Sequence, residues 1–192
     1  MGIPVIDTGP MTVEEFYAFT DGRPDGEKWE LIDGEAVLNA SPALRHQRIL
    51  GNILFALALR ERETNAPWTV IPGIGALISN TSRPEPDVMV LPGQVARHAS
   101  GKRDTGDALV LFEIMSPSTK SRDLKWKRAA YTSLPALTHY VVVAQNSVDV
   151  VVFGREDGFE EKRLKSLQDT IEFYELGVSL SLAEIYRDIE FA

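Results

Sequence analysis

Two acidic residues occupy positions where the surrounding sequence asks for burial. Glu113 interrupts the apolar run Leu109-Val110-Leu111-Phe112 and Ile114-Met115. A carboxylate taken out of water without a partner is strongly unfavourable, so Glu113 must end a strand, be paired, or bind a cation. Asp87 follows Pro86 and opens a second apolar run, Val88-Met89-Val90-Leu91. Proline cannot donate to a ladder, which places Asp87 at a strand start or on an edge. Taken singly, Asp87 reads equally well as a turn residue, and Glu113 as a paired strand-end carboxylate. Taken together, their separation from 87 to 113 leaves room for one strand, a connection and the next strand. Adjacent strands can then present both carboxylates at one point. Hard oxygen ligands of this kind suit Mg²⁺ or Mn²⁺, which take one or two carboxylates, a carbonyl and several waters. Such an ion polarises a phosphoryl oxygen and supplies hydroxide near neutral pH.

A third acid comes from a hairpin. With Asp33-Gly34 as a two-residue primed turn, Lys28, Glu30, Ile32, Glu35 and Val37 share one face, and Trp29, Leu31, Ala36 and Leu38 the other. The second face is the core side, so Glu30 is either a site residue or a solvated one. His46 lies on a helical stripe with Leu50, Ile53 and Leu57. It reads as a satisfied core or helix-end histidine, or as a base or substrate contact.

The elements that must position these residues are legible in outline. Thr12-Val13-Glu14-Glu15 forms a capping box that opens a helix to about Phe19. Ser41-Pro42 reads as N-cap and first position of a helix running to about Glu63. Strands are expected at 68–71, 76–78, 87–91, 108–114, 139–143 and 148–153, with a polar loop over 92–107. A helix is expected over 118–133, and a last short helix starts at Ser181 or Leu182. The run 108–114 is apolar enough for the middle of a sheet. Helices on both faces of a mixed β-sheet is the packing this order favours, an α/β fold.

The 192 residues fit one domain, spanning 1–192, with 44% hydrophobic and 25% charged residues. There is no cysteine, which excludes disulfides and thiolate metal sites and is compatible with a reducing cytoplasm. No signal-peptide pattern opens the chain, and no apolar run approaches the ~20 residues needed to cross a bilayer. The expectation is a soluble cytoplasmic protein with no membrane partner. A net charge of −8 argues against a protein that coats nucleic acid, because non-specific binding rests on basic surface. Positive charge is confined to two clusters: Arg97, His98, Lys102 and Arg103, and then Lys120, Arg122, Lys125, Lys127 and Arg128. Each reads as a local binding patch or as a solvated face.

The segments Trp29-Glu30-Leu31-Ile32-Asp33-Gly34-Glu35, Ser41-Pro42 with His46, Pro86-Asp87-Val88 and Glu113-Ile114-Met115-Ser116-Pro117-Ser118-Thr119 occur in that order. Asp123, Lys127, Tyr131 and Tyr140-Val141-Val142-Val143 follow. This pattern resembles the Uma-type restriction endonuclease family of the PD-(D/E)XK nuclease superfamily, from about Thr12 to Phe153. The resemblance implies a restriction-endonuclease-like central mixed β-sheet flanked by helices. It also implies a metal-dependent endonuclease acting on nucleic acid, DNA foremost, in a superfamily whose members often form dimers.

The superfamily places an acid on one strand and Glu-x-Lys on the next, whereas position 115 is Met. The resemblance implies that Lys127, from the following helix, supplies the amine. It further implies that Asp87, Glu113 and the Ile114 carbonyl hold the metal, with Glu30 completing or supporting the shell. Asp123, Lys127 and Tyr131, spaced by four, share a helical face, which allows this. A surface Lys127 paired with Asp123 is the alternative at that position. At the level of function the alternative is a nuclease-fold protein that no longer cuts and acts as a binding or assembly module.

Overall fold

The computed structural model describes residues 9–98, 101–115 and 123–191. Helix α1 (Val13–Asp21) starts at the expected capping box, with Thr12 and Glu15 bonded reciprocally. Strands β1 (Lys28–Ile32) and β2 (Glu35–Asn39) form the expected hairpin. Its turn needs positive φ at both central residues, and Asp33 (φ 50°) and Gly34 (φ 85°) supply it. Helix α2 (Leu44–Thr64) begins later than Ser41-Pro42 suggests. Ala43 is extended at the N-cap position with no side-chain cap, so Ser41 does not cap the helix.

A six-stranded mixed sheet follows, built from β3 (Trp68–Pro72), β5 (Val88–Pro92), β7 (Val110–Met115), β8 (His139–Ala144), β9 (Val150–Gly154) and β10 (Glu161–Leu164). Its order is β10-β9-β8-β7-β5-β3, and only the β7–β8 pair is parallel. The strand expected at 76–78 shrinks to β4 (Gly75–Ala76), paired with β6 (Asp104–Thr105) outside the main sheet. The loop expected over 92–107 carries a short helix, α3 (Gly93–Arg97), besides β6. Of the helix expected over 118–133, the described part is a π-helical turn (Asp123–Lys127) running into α4 (Arg128–Thr132). Residues 118–122 lie outside the described residues. A second hairpin, β11 (Thr170–Phe173) and β12 (Val178–Ser181), is joined by a 3₁₀ turn (Tyr174–Leu176). Helix α5 (Leu182–Ile185) follows, starting where the sequence predicts, with Ser181 as its N-cap.

Alternation along the central strands sorts their side chains to two faces. Val88, Val90, Val110, Phe112, Val141 and Val143 pack with Ile49, Ile53 and Leu57 of α2. Met89, Leu91, Leu111, Tyr140 and Val142 pack on the other face with Tyr131 of α4. The first hairpin and α1 form a third cluster around Phe16, Trp29 and Leu31. No helix among the described residues is long and apolar enough to cross a membrane.

Candidate active site

Antiparallel pairing lays the start of β5 beside the end of β7, with Val88 opposite Phe112. One step further along this register stand Asp87 and Glu113. The Asp87 amide donates to the Phe112 carbonyl at 3.0 Å, continuing the ladder by one bond. Beyond it the Asp87 side chain takes over: Oδ2 accepts the Ile114 amide at 2.7 Å. Like charges opposite one another on a sheet repel, so this arrangement requires cations nearby.

Those cations come from three elements. Lys28 on β1 places Nζ 3.4 Å from Asp87 Oδ1, and His46 near the start of α2 places Nε2 3.2 Å from the same oxygen. Burial alone would raise the Asp87 carboxyl. The hydrogen bond from His46, the charge of Lys28 and the Ile114 amide outweigh it and hold the group down at about 2. Asp87 is therefore a carboxylate at neutral pH despite being 6% exposed. Burial works to lower the Lys28 ammonium, but Asp87, Glu113, Glu85 and Glu30 together keep it above the ordinary lysine value. Of these carboxylates, Asp87 is the one in contact with the Lys28 amine.

Lys127 is the second amine. Its Nζ donates to Glu113 Oε1 at 2.6 Å and to Glu30 Oε1 at 2.9 Å, and the residue is only 3% exposed. A bonded ammonium tolerates such burial because its aliphatic stem packs against apolar neighbours while its head meets the carboxylates. Tyr131, one helical turn on, donates its hydroxyl to Glu113 Oε1 at 2.7 Å. Burial, then the charges of Glu113 and Glu30, push the Tyr131 phenol well above its usual range, so it stays a donor. Glu30 Oε1 also accepts the Glu85 amide at 2.8 Å. The turn of the first hairpin is tied to the same helical segment by Trp126 Nε1, 2.7 Å from Asp33 Oδ2.

Asp87, Glu113, Lys127 and Glu30 are therefore gathered at one rim of the sheet, and the Ile114 backbone lies between the two strand carboxylates. Glu30 is not solvated: it is fully buried, because the hairpin face that carries it is closed by Lys127 and the segment leading to Glu85. Lys127 likewise does not belong to a solvated basic face. The side chain of Asp123, and Lys120 and Arg122, lie outside the described residues. In the other basic cluster Arg103 is bonded to Asp21 and Thr20. Sequence reasoning missed Lys28 as a partner of Asp87, although its place two residues before Glu30 on one hairpin face was a usable signal. The bond from the Glu85 amide to Glu30 had no local signal.

The donors at the rim are hard oxygens, and Asp87 is held ionised, so the set fits Mg²⁺ or Mn²⁺. Lys28 and Glu85 also line an open cleft of about 620 Å³, whose wall includes Arg83, Lys102 and Arg103.

A solved structure of a protein described as a putative nuclease belonging to DUF820, from Anabaena variabilis, superposes with a TM-score of 0.74. The match covers 92% of this chain and 98% of that one at 13% sequence identity, a likeness of fold. An uncharacterized protein of Synechocystis sp. is 29% identical over 83 residues, which are 43% of this chain and 44% of that protein's length. The model of the Uma2 family, described as "Putative restriction endonuclease", matches residues 13–185. On that match, which spans the hairpin, the β5–β7 rim and α4, the chain belongs to the Uma2 family.

Proposed function

We propose that the protein is a metal-dependent endonuclease that hydrolyses phosphodiester bonds of nucleic acid, DNA foremost, at the β5–β7 rim. The observation that carries this reading is the buried Lys127 ammonium, 2.6 Å from Glu113. Met115 lacks the amine that the Glu-x-Lys pattern would supply, and Lys127 brings one to the same carboxylate from the helix. A binding module could fill the same space with apolar residues at little or no loss of stability, so the retained group of amine and carboxylates favours the catalytic reading.

A bound Mg²⁺ or Mn²⁺ supplies Lewis-acid polarisation of the scissile phosphoryl oxygen and a hydroxide near neutral pH. Asp87 and Glu113, with the Ile114 carbonyl, would hold it. Glu30 supports the site by holding Lys127 at 2.9 Å, alongside Glu113. Lys127 orients the attacking water and stabilises charge that develops on the phosphate. Lys28 keeps Asp87 ionised, and the cleft with Lys102 and Arg103 gives the polyanion a positively charged approach.

The test is nicking of supercoiled plasmid DNA with Mg²⁺ or Mn²⁺, alongside a single-stranded RNA of similar length. The parent should nick DNA, and Asp87→Ala and Glu113→Ala should not. Variants that nick as well as the parent would falsify the assignment, and preference for the RNA would overturn its DNA component.

A further inference from the structure

A second group of ligand-type side chains lies away from the rim. His139 opens β8 opposite Val110, whereas Glu113 pairs further along with Val142. Its alternation with Tyr140 and Val142 sends His139 to the sheet face opposite Glu113. Oxygens of Glu156, just after β9, and of Glu175, in the 3₁₀ turn, lie with a His139 ring nitrogen all within 4.8 Å of one another. His139 is 1% exposed, and its ring packs edge-on to Phe173.

The hydrogen bonds around the ring fix its orientation. Thr138 Oγ1 donates to the Leu109 carbonyl at 2.9 Å, which uses its one hydrogen. The same oxygen lies 3.1 Å from His139 Nδ1, so it accepts from an Nδ1–H. In that tautomer the Nε2 lone pair points at Glu156 Oε1, 3.3 Å away. A lone pair facing a carboxylate is repulsive unless a proton or a metal ion sits between them. The distance equals the edge of a coordination tetrahedron with bonds of roughly 2.0–2.1 Å. Glu156 folds back over Gly154, the cross-strand partner of His139, where a Cβ would come within 3.0 Å of its carboxylate. His139 and Glu156 border a cavity of about 220 Å³ that Lys162, Glu172 and Tyr174, the residue before Glu175, also line.

We propose that His139, Glu156 and Glu175 form a second metal site, for a divalent transition ion of the zinc type, that clips the β9 turn to the β11–β12 hairpin. One imidazole and two carboxylates form a borderline donor set that prefers Zn²⁺ or Co²⁺ to Mg²⁺. Co²⁺ titration of the full chain, followed by visible absorption, reads the site directly. One equivalent should give d–d bands that Zn²⁺ displaces and Mg²⁺ does not, and Zn²⁺ at a hundredfold excess over its Kd should raise Tm by about 5–10 °C. Glu156→Gln and Glu175→Gln, both surface changes, should each weaken Co²⁺ binding at least tenfold. A double variant, Asp87→Asn with Glu113→Gln, should keep the bands, which separates this site from the proposed active one. Lack of bands in the parent, or bands that survive Glu156→Gln and Glu175→Gln together, would overturn the proposal and leave an imidazolium–carboxylate pair.

Discussion

Lys127 Nζ stands 2.6 Å from Glu113 Oε1, closing a gap of fourteen residues between a helix and a strand end. The short contact, together with the 2.9 Å contact to Glu30, makes one ammonium the shared partner of two buried carboxylates. Removing one member of such a group leaves uncompensated charge in the interior, at a cost of about 3–5 kcal/mol. Lys127→Met keeps the stem and removes the charge. It is expected to lower Tm by roughly 10 °C, read by calorimetry, and to abolish plasmid nicking. A variant that is as stable as the parent would mean that the carboxylates find other compensation.

Asp87 makes stability depend on acid. Its carboxyl titrates at about 2 in the folded chain against 3.8 for the unperturbed group. The folded value is the lower one, so the contribution is complete above pH 4 and is lost as pH falls through 4 towards 2. The shift corresponds to about 2 kcal/mol. Urea denaturation in the presence of a chelator, from pH 6 down to pH 2.5, should show this loss. Asp87→Asn should flatten that part of the profile, and an unchanged slope would contradict the role of Lys28 and His46.

Glu30 acts through Lys127 and the Glu85 amide. Glu30→Gln keeps an acceptor for both but removes the charge that steadies the ammonium. Outer partners of this kind are worth roughly 10–100-fold in activity. Nicking should fall by about that factor, while Mn²⁺ affinity, measured by calorimetry, should change little. Loss of Mn²⁺ binding in step with activity would make Glu30 a direct ligand instead.

The convergence of Asp87 and Glu113 was legible because two apolar runs define the strands, one acid standing just before β5 and the other two residues from the end of β7. Glu30 was harder. Period-two alternation identifies the apolar face of a hairpin but not what covers the other one, and here Lys127 and the segment reaching Glu85 cover it. Lys127 was visible only through a family pattern, since no local rule carries a helix residue to a strand carboxylate. A spacing of four also presumes an α-helix, whereas Asp123–Lys127 winds as a π turn with more residues per turn. His46 stood out as a polar residue on an apolar stripe, and its ring does turn to Asp87.

Gly75 carries a packing constraint that reaches the rim. A Cβ built there would lie 2.0 Å from Arg83 Nε and 2.3 Å from its Cζ. The Arg83 guanidinium, in a residue 6% exposed, bonds to Glu85 Oε2 at 3.0 Å and to the Arg103 carbonyl at 2.6 Å. Because the Glu85 amide holds Glu30, displacing Arg83 should disturb the acid beside Lys127. Gly75→Ala is expected to cost about 1–3 kcal/mol in chemical denaturation and to reduce nicking. Unchanged stability would show that the arginine has another place to go.

The position of the amine can itself be moved. Met115 follows Glu113 by two residues on β7, so it shares the face of Glu113 and Leu111 and is half-buried there. Met115→Lys would place an amine where the superfamily pattern has one. In the Lys127→Met background it should restore nicking to at least a tenth of the parent rate, because a flexible four-carbon stem can reach the neighbouring carboxylate. Stability should recover less, since Lys127 bridges Glu113 and Glu30 and a strand lysine faces only the first. A folded double variant no more active than Lys127→Met would tie catalysis to the helix position rather than to the amine.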